Sequence, residues 1–285
     1  MAEILEANGI AARFKERLIS GVRPIARPVL AALRVGEDHS AAAYVASQQK
    51  TAAELGIEYR LLSFDAGISI ESFRSEIERL NNDPAVNGII VVKPFGVGWP
   101  EEKVFSTVAI TKDVEGMNPF NLGLLMMGRH SFVSPTVLSV LELLRQPQVN
   151  SALGGKGIRG KEVTIVGASL LIGKPLAFML SNLMATVSLA HVATYETGHL
   201  PFYCGNAEIL VTAVGKPGLI KGSWIKPGAV VVDVGCGHSG GKICGDVEFE
   251  KAKERAALIT PVPGGVGKLT TMFLFDNLIK AAQLK

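Results

Sequence analysis

The sequence predicts an α/β protein of two domains, in which parallel strands alternate with covering helices. Its 285 residues are enough for two domains of about 100–200 residues each. Short apolar runs of strand length alternate with helix-length segments along most of the chain. In the second half, one such run passes through a glycine-bearing turn into a helix, a connection typical of Rossmann-like dinucleotide-binding sheets.

The first third of the chain predicts the element order βαβαβ. Apolar or alternating runs indicate strands at 28–35, 57–64 and 88–92. Helix formers indicate one helix at 40–55, with Gly56 as its C-terminal cap, and another at 70–80. Such alternation predicts a mostly parallel sheet with right-handed crossovers, in which ligands bind at the carboxyl ends of the strands.

The rest of the chain predicts a second α/β unit. A loop rich in turn residues at 118–121 precedes a helix at 135–146, and a glycine-rich stretch follows at 154–157. Another helix is expected at 175–183. Buried runs predict parallel strands at 162–167, 186–189, 209–214 and 229–234. These strands fit a Rossmann-like dinucleotide domain.

Composition narrows the class of protein. Hydrophobic residues make up 48% of the chain and charged residues 19%, which excludes disordered and collagen-like classes. The 29 basic and 26 acidic residues give a net charge of +3 without a run of five like charges, so nucleic acid is not an expected partner.

The cysteines and the apolar segments point to a cytoplasmic protein. Cys204, Cys236 and Cys244 form no C-x-x-C pair, which favours a reducing compartment, and we expect them to be buried thiols. The first residues are acidic and no apolar stretch reaches about 18 residues, so neither a signal peptide nor a membrane span is expected.

The glycine-bearing turn is a candidate pyrophosphate site. Gly167, Ser169, Gly173, Lys174 and Pro175 follow a strand and open a helix, where free backbone N–H groups and the helix dipole bind anions. The run is not a strict G-x-G-x-x-G, so ordinary turn geometry explains it equally well. His191 follows the next strand, where a ribose would lie, but a single histidine is more often structural.

Three further segments are candidates for function. The loop 260–267 has two prolines that stiffen it and three glycines that allow close approach to a flat ligand, although it could also be a plain crossover between domains. Tyr44 and Gln48 share one helix face. The segment 112–116 carries two acids in a loop, for which a solvated turn is the default interpretation. No metal site is expected, because the histidines and cysteines lack ligand spacing.

Taken together, these segments resemble the bifunctional methylenetetrahydrofolate dehydrogenase/methenyltetrahydrofolate cyclohydrolase family, usually called FolD. The resemblance spans almost the whole chain in order and spacing. The matching residues are Val35 to Glu37, Tyr44 to Ser47, Leu80 to Asp83, Val86, Gly88, Lys112 to Gly116, Gly167, Ser169, Gly173, Pro175, Asp233 to Gly235, Gly245 to Val247 and Thr260 to Gly267.

The resemblance implies a folate domain at 1–136 and 268–285 and a Rossmann-like dinucleotide domain at 137–267. It implies a tetrahydrofolate species as substrate, NAD or NADP as cofactor, and a homodimer. The last helix, after Thr270, is expected to return to the folate domain, as it does in relatives.

The resemblance also implies roles for individual positions. By carry-over, Tyr44, Gln48 and Lys93 are the candidate catalytic residues. The candidate substrate-binding residues are Tyr44, Val92, Glu115, Pro263, Gly264 and Gly265. The candidate cofactor-binding residues are Gly167, Ser169, Gly173, Lys174, Pro175, His191 and Gly235.

Departures from the family pattern concern the catalytic side chains first. Gln48 stands where the family has its catalytic lysine, and Val92 where the V-Q-L-P motif has glutamine. Glu115 replaces the aspartate that holds the pterin. The segment 134–139 replaces P-C-T-P-x-G.

On the cofactor side, side chains that relatives use near the ribose phosphate of NADP are missing. Ala168 replaces the arginine of G-R-S, and His191, Val192 and Ala193 stand for H-S-R. NAD is therefore expected to bind at least as tightly as NADP, with Lys174 as the one nearby cation.

These departures affect the two family reactions differently. Hydride transfer needs mainly an aligned nicotinamide, whereas hydrolysis of the methenyl cation needs a tuned acid or base, and Gln48 cannot titrate. Lys93 is a possible substitute, although in a strand it should face away from Val92 unless Pro94 redirects it.

Three functions remain open, in this order. The first is a nicotinamide-dependent methylenetetrahydrofolate dehydrogenase that has lost cyclohydrolase activity, favoured by the retained glycines. The second is a non-redox enzyme that passes the folate methylene carbon to another acceptor, favoured by the changes around Gln48 and Val92. The third is a catalytically silent folate-binding protein.

Overall fold

The computed structural model describes residues 1–22 and 27–284 of the chain. Within them, eleven strands run along the sequence: β1 (Glu3–Ile4), β2 (Val29–Val35), β3 (Glu58–Phe64), β4 (Gly88–Val91), β5 (Glu162–Val166), β6 (Thr186–Ala190), β7 (Ile209–Thr212), β8 (Val230–Asp233), β9 (Gly237–Ser239), β10 (Lys242–Cys244) and β11 (Leu258–Ile259).

The same residues form twelve α-helices: α1 (Asn8–Val22), α2 (His39–Leu55), α3 (Ile70–Asn82), α4 (Glu101–Phe105), α5 (Pro119–Met126), α6 (Pro135–Leu144), α7 (Pro147–Ala152), α8 (Gly173–Asn182), α9 (Val192–Glu196), α10 (Leu200–Asn206), α11 (Phe249–Ala252) and α12 (Gly267–Gln283). A short 3-10 helix covers Gly222–Trp224.

Residues Ala12–Pro135 and Thr271–Lys285 form a compact unit, called here the three-stranded unit. Its parallel sheet has the order β3-β2-β4. Asp38 caps the start of α2 through its side chain, and Gly56 ends that helix in the left-handed conformation with φ 73°. The predicted strands and helices of this part of the chain are confirmed.

The C-terminal helix α12 contributes to the core of the three-stranded unit from residue 271 onwards. The ring of Phe273 packs edge-on against Phe14 of α1, with 4.5 Å between ring centroids. Asn277, which is buried, donates through Nδ2 to the backbone oxygens of Val114 and Val133 at 2.8 and 2.9 Å. The return of the last helix that the family resemblance implied is therefore present.

Residues Met1–Ala11 and Thr136–Thr270 form the second compact unit, called here the six-stranded unit. Its parallel sheet has the order β1-β11-β8-β7-β5-β6, and β9 and β10 form a separate antiparallel hairpin. The central strands β7 and β8 are buried along their whole length, as a parallel sheet covered on both faces requires.

The N-terminal residues differ from the predicted domain division. The family resemblance implies a folate domain that includes residues 1–11, but β1 pairs in parallel with β11 of the six-stranded unit. The Leu5 backbone N–H extends this pairing by donating to the Ile259 oxygen at 2.9 Å. A strand of two residues carries no periodic signal, so sequence patterns miss it.

Three local predictions are also wrong. The predicted loop at 118–121 begins α5, because the Asn118 side chain accepts from Phe120 N–H and Pro119 occupies the first helical turn. Helix α8 begins at Gly173, two residues earlier than expected. Of the three free cysteines, only Cys204 is buried; Cys236 is exposed because it leads into the β9–β10 hairpin, and Cys244 is partly buried.

Candidate functional site

The turn between β5 and α8 depends on two glycines. Gly167 has a φ of +116°, and a Cβ added there would lie 2.3 Å from the Ala213 oxygen. A Cβ on Gly173 would lie 1.7 Å from the Gly167 oxygen. Both distances are far below contact distance, so only glycine permits this chain path at either position.

Ser169 holds the turn in shape by accepting hydrogen bonds from two backbone N–H groups. Ser169 Oγ accepts from the Ile172 N–H at 3.1 Å, and the Ser169 oxygen accepts from the Lys174 N–H at 3.1 Å. Helix α8 has no side-chain cap at its N-terminus, and Pro175 is buried in its first turn. The positive end of the dipole of this ten-residue helix attracts phosphate oxygens to its first turn.

A cavity of about 380 Å³ lies beside this turn. Three predicted cofactor residues, Gly167, Ser169 and His191, are among the residues that line it. The others are Val166, Ala168, Val192, Tyr195, Leu200, Ala213, Val214, Lys216 and Leu219. Lys174 is exposed and is not among the lining residues, so the cation at this cavity is Lys216.

Lys216 was missed by the sequence analysis because it belongs to a different loop, the one that follows β7. The loop is fixed by Asp246, whose carboxylate accepts from the Val214 and Lys216 N–H groups at 2.7 and 2.8 Å. The sequence gives only a weak signal for Lys216, which is a lysine between a glycine and a proline after a buried strand.

Gly235 supports this loop indirectly. A Cβ on Gly235 would lie 2.2 Å from the Asp246 carboxyl carbon, so its lack of a side chain makes room for the carboxylate. Asp246 is fully buried beside Asp233, and burial together with that neighbouring charge raises the pKa of Asp233 to about 6. Backbone N–H groups of Asp246 and Val247 donate to Asp233 at 3.1 and 3.0 Å and oppose this rise.

The loop 260–267 has a rigid path in the six-stranded unit. Gly264 has a φ of +117°, and its oxygen accepts from the Ala7 N–H at 3.0 Å. A Cβ on Gly265 would lie 2.7 Å from the Pro261 oxygen. Pro263 is exposed. The loop therefore presents a proline ring and bare backbone on a fixed support, and its role in substrate binding stays a prediction.

In the three-stranded unit, α2 carries the two aligned candidate residues. Gln48 is fully buried, and its Oε1 accepts from the hydroxyl of Tyr59 in β3 at 2.7 Å. Its Nε2 is buried without a well-formed hydrogen bond, although it lies close enough to Tyr44 to oppose the rise in that phenol's pKa. Tyr44 itself keeps 37% of its surface exposed. Tyr59 was not among the predicted residues, because nothing in the sequence links a strand tyrosine to a helix glutamine.

Glu115 lies in a loop that buried polar side chains hold in shape. Asp113 accepts from the backbone N–H groups of Met117 and Asn118 at 3.0 and 2.8 Å and from Asn121 Nδ2 at 2.8 Å. Gly116 has a φ of +66°, and a Cβ there would lie 2.9 Å from the Phe132 oxygen. These contacts present the Glu115 carboxyl on a preorganised support.

The Glu115 carboxyl has an unusual acidity. Burial and the nearby charge of Asp113 raise the pKa of Glu115 to about 8, whereas the Val91 N–H and the charge of Lys93 work in the opposite direction. Burial and the charge of Glu115 likewise raise the pKa of the Tyr44 phenol. These influences on pKa indicate a cluster of interacting side chains, which consists of Tyr44, Gln48, Tyr59, Glu115 and Lys93.

Val92 and Lys93 follow the end of β4 in different surroundings. Val92 is 5% exposed and its N–H donates to the Leu33 oxygen at 2.9 Å, so it contributes only apolar surface. Lys93 Nζ forms an ion pair with Glu101 and lies 5.7 Å from the centre of the Phe105 ring. Its ammonium is therefore already paired, which argues against its acting as a free base.

Two absences apply to residues 1–22 and 27–284. No group of three His, Cys, Asp or Glu side chains among them has the arrangement of a metal site. None of the helices described there is long and apolar enough to cross a membrane.

The two units thus define an α/β protein with two separate kinds of site. One is a glycine turn, uncapped helix and cavity of the dinucleotide-binding type. The other is a partly buried carboxyl beside a tyrosine and a neutral amide, groups that suit a flat heterocycle bearing N–H donors.

Comparison with known proteins identifies the family. Residues 5–115 match the catalytic domain, and residues 134–285 the NAD(P)-binding domain, of tetrahydrofolate dehydrogenase/cyclohydrolase. The chain is 39% identical to the bifunctional protein FolD of Acetivibrio thermocellus, over 100% of this chain and 98% of that protein.

Comparison with solved structures supports the same family. The FolD methylenetetrahydrofolate dehydrogenase/cyclohydrolase of Campylobacter jejuni is 33% identical with a TM-score of 0.91, covering 100% of this chain and 99% of that one. The Trypanosoma brucei enzyme, complexed with NADP and an inhibitor, is 31% identical with a TM-score of 0.90, covering 99% and 98%. The chain belongs to the tetrahydrofolate dehydrogenase/cyclohydrolase family, which confirms the family and fold predictions.

Proposed function

We propose that this protein is a nicotinamide-dependent methylenetetrahydrofolate dehydrogenase in which cyclohydrolase activity is absent or very low. Family membership supports folate one-carbon chemistry, and the relatives are named for both activities. The observation that carries the loss of one activity is the buried, neutral Gln48, bonded to Tyr59, at the position of the family lysine.

Dehydrogenation does not require an acid or a base at the position of Gln48. A nicotinamide dinucleotide, when bound, would supply the acceptor for the hydride that leaves the methylene carbon, and the folate would be left as a cation shared by two nitrogens. The protein's part is to hold the two reactants in register. A rigid glycine turn and a preorganised carboxyl can supply that positioning without any group that titrates at position 48.

Hydrolysis of the methenyl cation makes a different demand. Water must lose a proton as it attacks the carbon, and a positioned base contributes about 10²–10⁴-fold to such a step. Gln48 offers no basic atom, Val92 offers no polar atom, and Lys93 is paired with Glu101. Hydrolysis should therefore be lost before hydride transfer.

Glu115 and Tyr44 are proposed to hold the pterin. A carboxylate accepts two parallel hydrogen bonds, which matches the amino group and the adjacent ring N–H of a pterin. Tyr44, with part of its ring exposed, is suited to flank the flat ligand. The raised pKa of Glu115 means that binding through its carboxylate form is accompanied by release of a proton.

The dinucleotide is proposed to occupy the cavity beside Gly167, with its phosphates on the start of α8. Ala168 and Val192 line this cavity and neither carries a charge. The Trypanosoma brucei relative was solved with NADP, so the family accommodates the additional phosphate. In this protein we expect NAD to bind at least as tightly as NADP. The positive charge of Lys216, at the same cavity, would instead favour the additional phosphate of NADP.

A homodimer is also proposed. Strand β6 ends the sheet order and leaves one ladder edge unpaired. Phe202, in the helix α10 that packs beside β6 and outside the cavity, is 66% exposed. Exposed apolar residues next to a free edge are typical of interfaces between subunits. Light scattering should give twice the chain mass, and a monomer at micromolar concentration would contradict this.

A direct assay tests the proposed activity. Purified protein is mixed with methylenetetrahydrofolate and either NAD or NADP, and reduced nicotinamide is followed by absorbance, with reactions lacking folate as controls. Folate-dependent reduction at about 1–10³ s⁻¹ is expected. Folate binding without reduction of either dinucleotide would overturn the proposal and favour the non-redox alternative.

A further inference from the structure

Tyr59 makes a contact that the proposed roles leave unused. Its hydroxyl donates to Gln48 Oε1 at 2.7 Å, across 11 residues of sequence and between β3 and α2. Gln48 has no exposed surface, and Tyr59 is only partly exposed. A hydrogen bond inside such a shielded region fixes the orientation of the amide far better than one at the surface.

The face of the sheet on which Tyr59 lies is set by strand alternation. Tyr59 and Phe64 are five residues apart in β3, so their side chains point to opposite faces. Phe64 packs edge-on against Phe73 of α3, with 5.5 Å between ring centroids. Tyr59 therefore faces α2, and its contact with Gln48 follows from the register of the sheet rather than from a chance rotamer.

This contact leaves one polar atom without a well-formed hydrogen bond. Tyr59 uses the oxygen of the Gln48 amide, and the buried Nε2 on the other side has only the phenol of Tyr44 close to it. A buried donor that is poorly paired is costly, and a bound ligand that supplies a well-placed acceptor would remove this cost. Electrostatic coupling of both tyrosines to Glu115 places this amide in the neighbourhood of the candidate pterin carboxyl.

We propose that Tyr59 is a positioning residue that holds Gln48 so that its Nε2–H donates to an acceptor oxygen of the bound folate. The carbonyl oxygen of the pterin, adjacent to the ring N–H that Glu115 would accept, has the required chemistry. The inference rests on the proposed folate site. It adds that the lysine position has become a neutral donor, oriented by a tyrosine.

A double-mutant cycle tests this pair. Tyr59→Phe and Gln48→Leu are made singly and together, and the dissociation constant for tetrahydrofolate is measured by calorimetry alongside dehydrogenase KM and kcat. Each single variant should weaken binding about 3–10-fold, the value of one hydrogen bond, and raise KM with kcat nearly unchanged. The double variant should be no weaker than Gln48→Leu alone, because both changes remove the same interaction.

Tyr203→Phe, which removes a phenol hydroxyl in the six-stranded unit, is the matched control and should leave folate binding unchanged. Effects that multiply in the double variant would overturn the inference. So would a Tyr59→Phe variant with a lower melting temperature but wild-type folate affinity, since that is the result of a purely structural role. If the wild type binds tetrahydrofolate but reduces no dinucleotide, the proposed function fails while the calorimetric cycle still decides this inference.

Discussion

The two candidate sites are built in different ways. The candidate dinucleotide site of the six-stranded unit is defined mainly by the path of the backbone. Gly167 and Gly173 lie where any Cβ would clash with a backbone oxygen. In the three-stranded unit, the site consists of the buried Gln48 and the partly buried Tyr59 and Glu115, whose properties depend on one another. The first kind of site tolerates change in its side chains, whereas the second changes its chemistry with each substitution.

The largest effect on stability and binding is expected from a substitution that changes the path of the backbone at the glycine turn. Gly173→Ala would place a Cβ 1.7 Å from the Gly167 oxygen, so the turn cannot keep its path. We expect a loss of stability of about 3 kcal/mol and loss of dinucleotide binding. Thermal unfolding and calorimetric titration with NAD measure both.

Gly123→Ala is the matched control for that change. Gly123 lies in α5, and a Cβ there would meet nothing within 4 Å. Alanine in a helix should stabilise the protein by about 0.5–1 kcal/mol. If Gly173→Ala were as well tolerated as Gly123→Ala, the account of a backbone-defined site would be wrong.

The next effect concerns the pH dependence of folate binding. The pKa of Glu115 is about 8, so its carboxyl is mostly protonated at pH 6 and mostly ionised above pH 8. Because pterin N–H donors require the ionised form, tetrahydrofolate affinity should rise by about 50-fold from pH 6 to pH 8 and by about twofold more above pH 8 before it levels off.

Glu115→Gln removes the titrating group at nearly the same size. Its affinity should be weak and almost independent of pH over that range, as isothermal titration at several pH values would reveal. An identical profile in the wild type and in Glu115→Gln would show that another group governs binding, and Glu115 would lose its assigned role.

A smaller effect is expected from restoring charge on the backbone-defined site. Ala168 lines the cavity beside the glycine turn and carries no charge. Ala168→Arg should raise affinity for NADP by about tenfold or more, since charge-assisted hydrogen bonds contribute about 1.5–3 kcal/mol each, with little effect on NAD. Competitive titration measures the ratio, and a wild-type protein that already prefers NADP would contradict the expected cofactor choice.

The backbone-defined site could be predicted from the sequence better than the site made of interacting side chains. Glycines at a strand-to-helix turn are visible in the sequence, and the structure gives Gly167 and Gly173 the steric role expected of them. Asn118 was misread because an N-cap followed by proline has the same letters as a turn. The Tyr59–Gln48 bond joins residues whose partnership depends on sheet register and helix crossover, which no local pattern encodes. Lys216 was hidden for the same reason, since its loop meets the glycine turn only in the folded sheet.

The most direct test of the central claim is the rate of methenyltetrahydrofolate hydrolysis, corrected for the spontaneous rate, in the wild type and in Gln48→Lys. We expect the wild type to show almost no catalysed hydrolysis while it retains folate-dependent reduction of NAD or NADP, and Gln48→Lys to gain measurable hydrolysis. Wild-type hydrolysis near a typical enzymatic turnover of about 10 s⁻¹ would contradict the claim that the neutral pair of Gln48 and Tyr59 separates the two family activities.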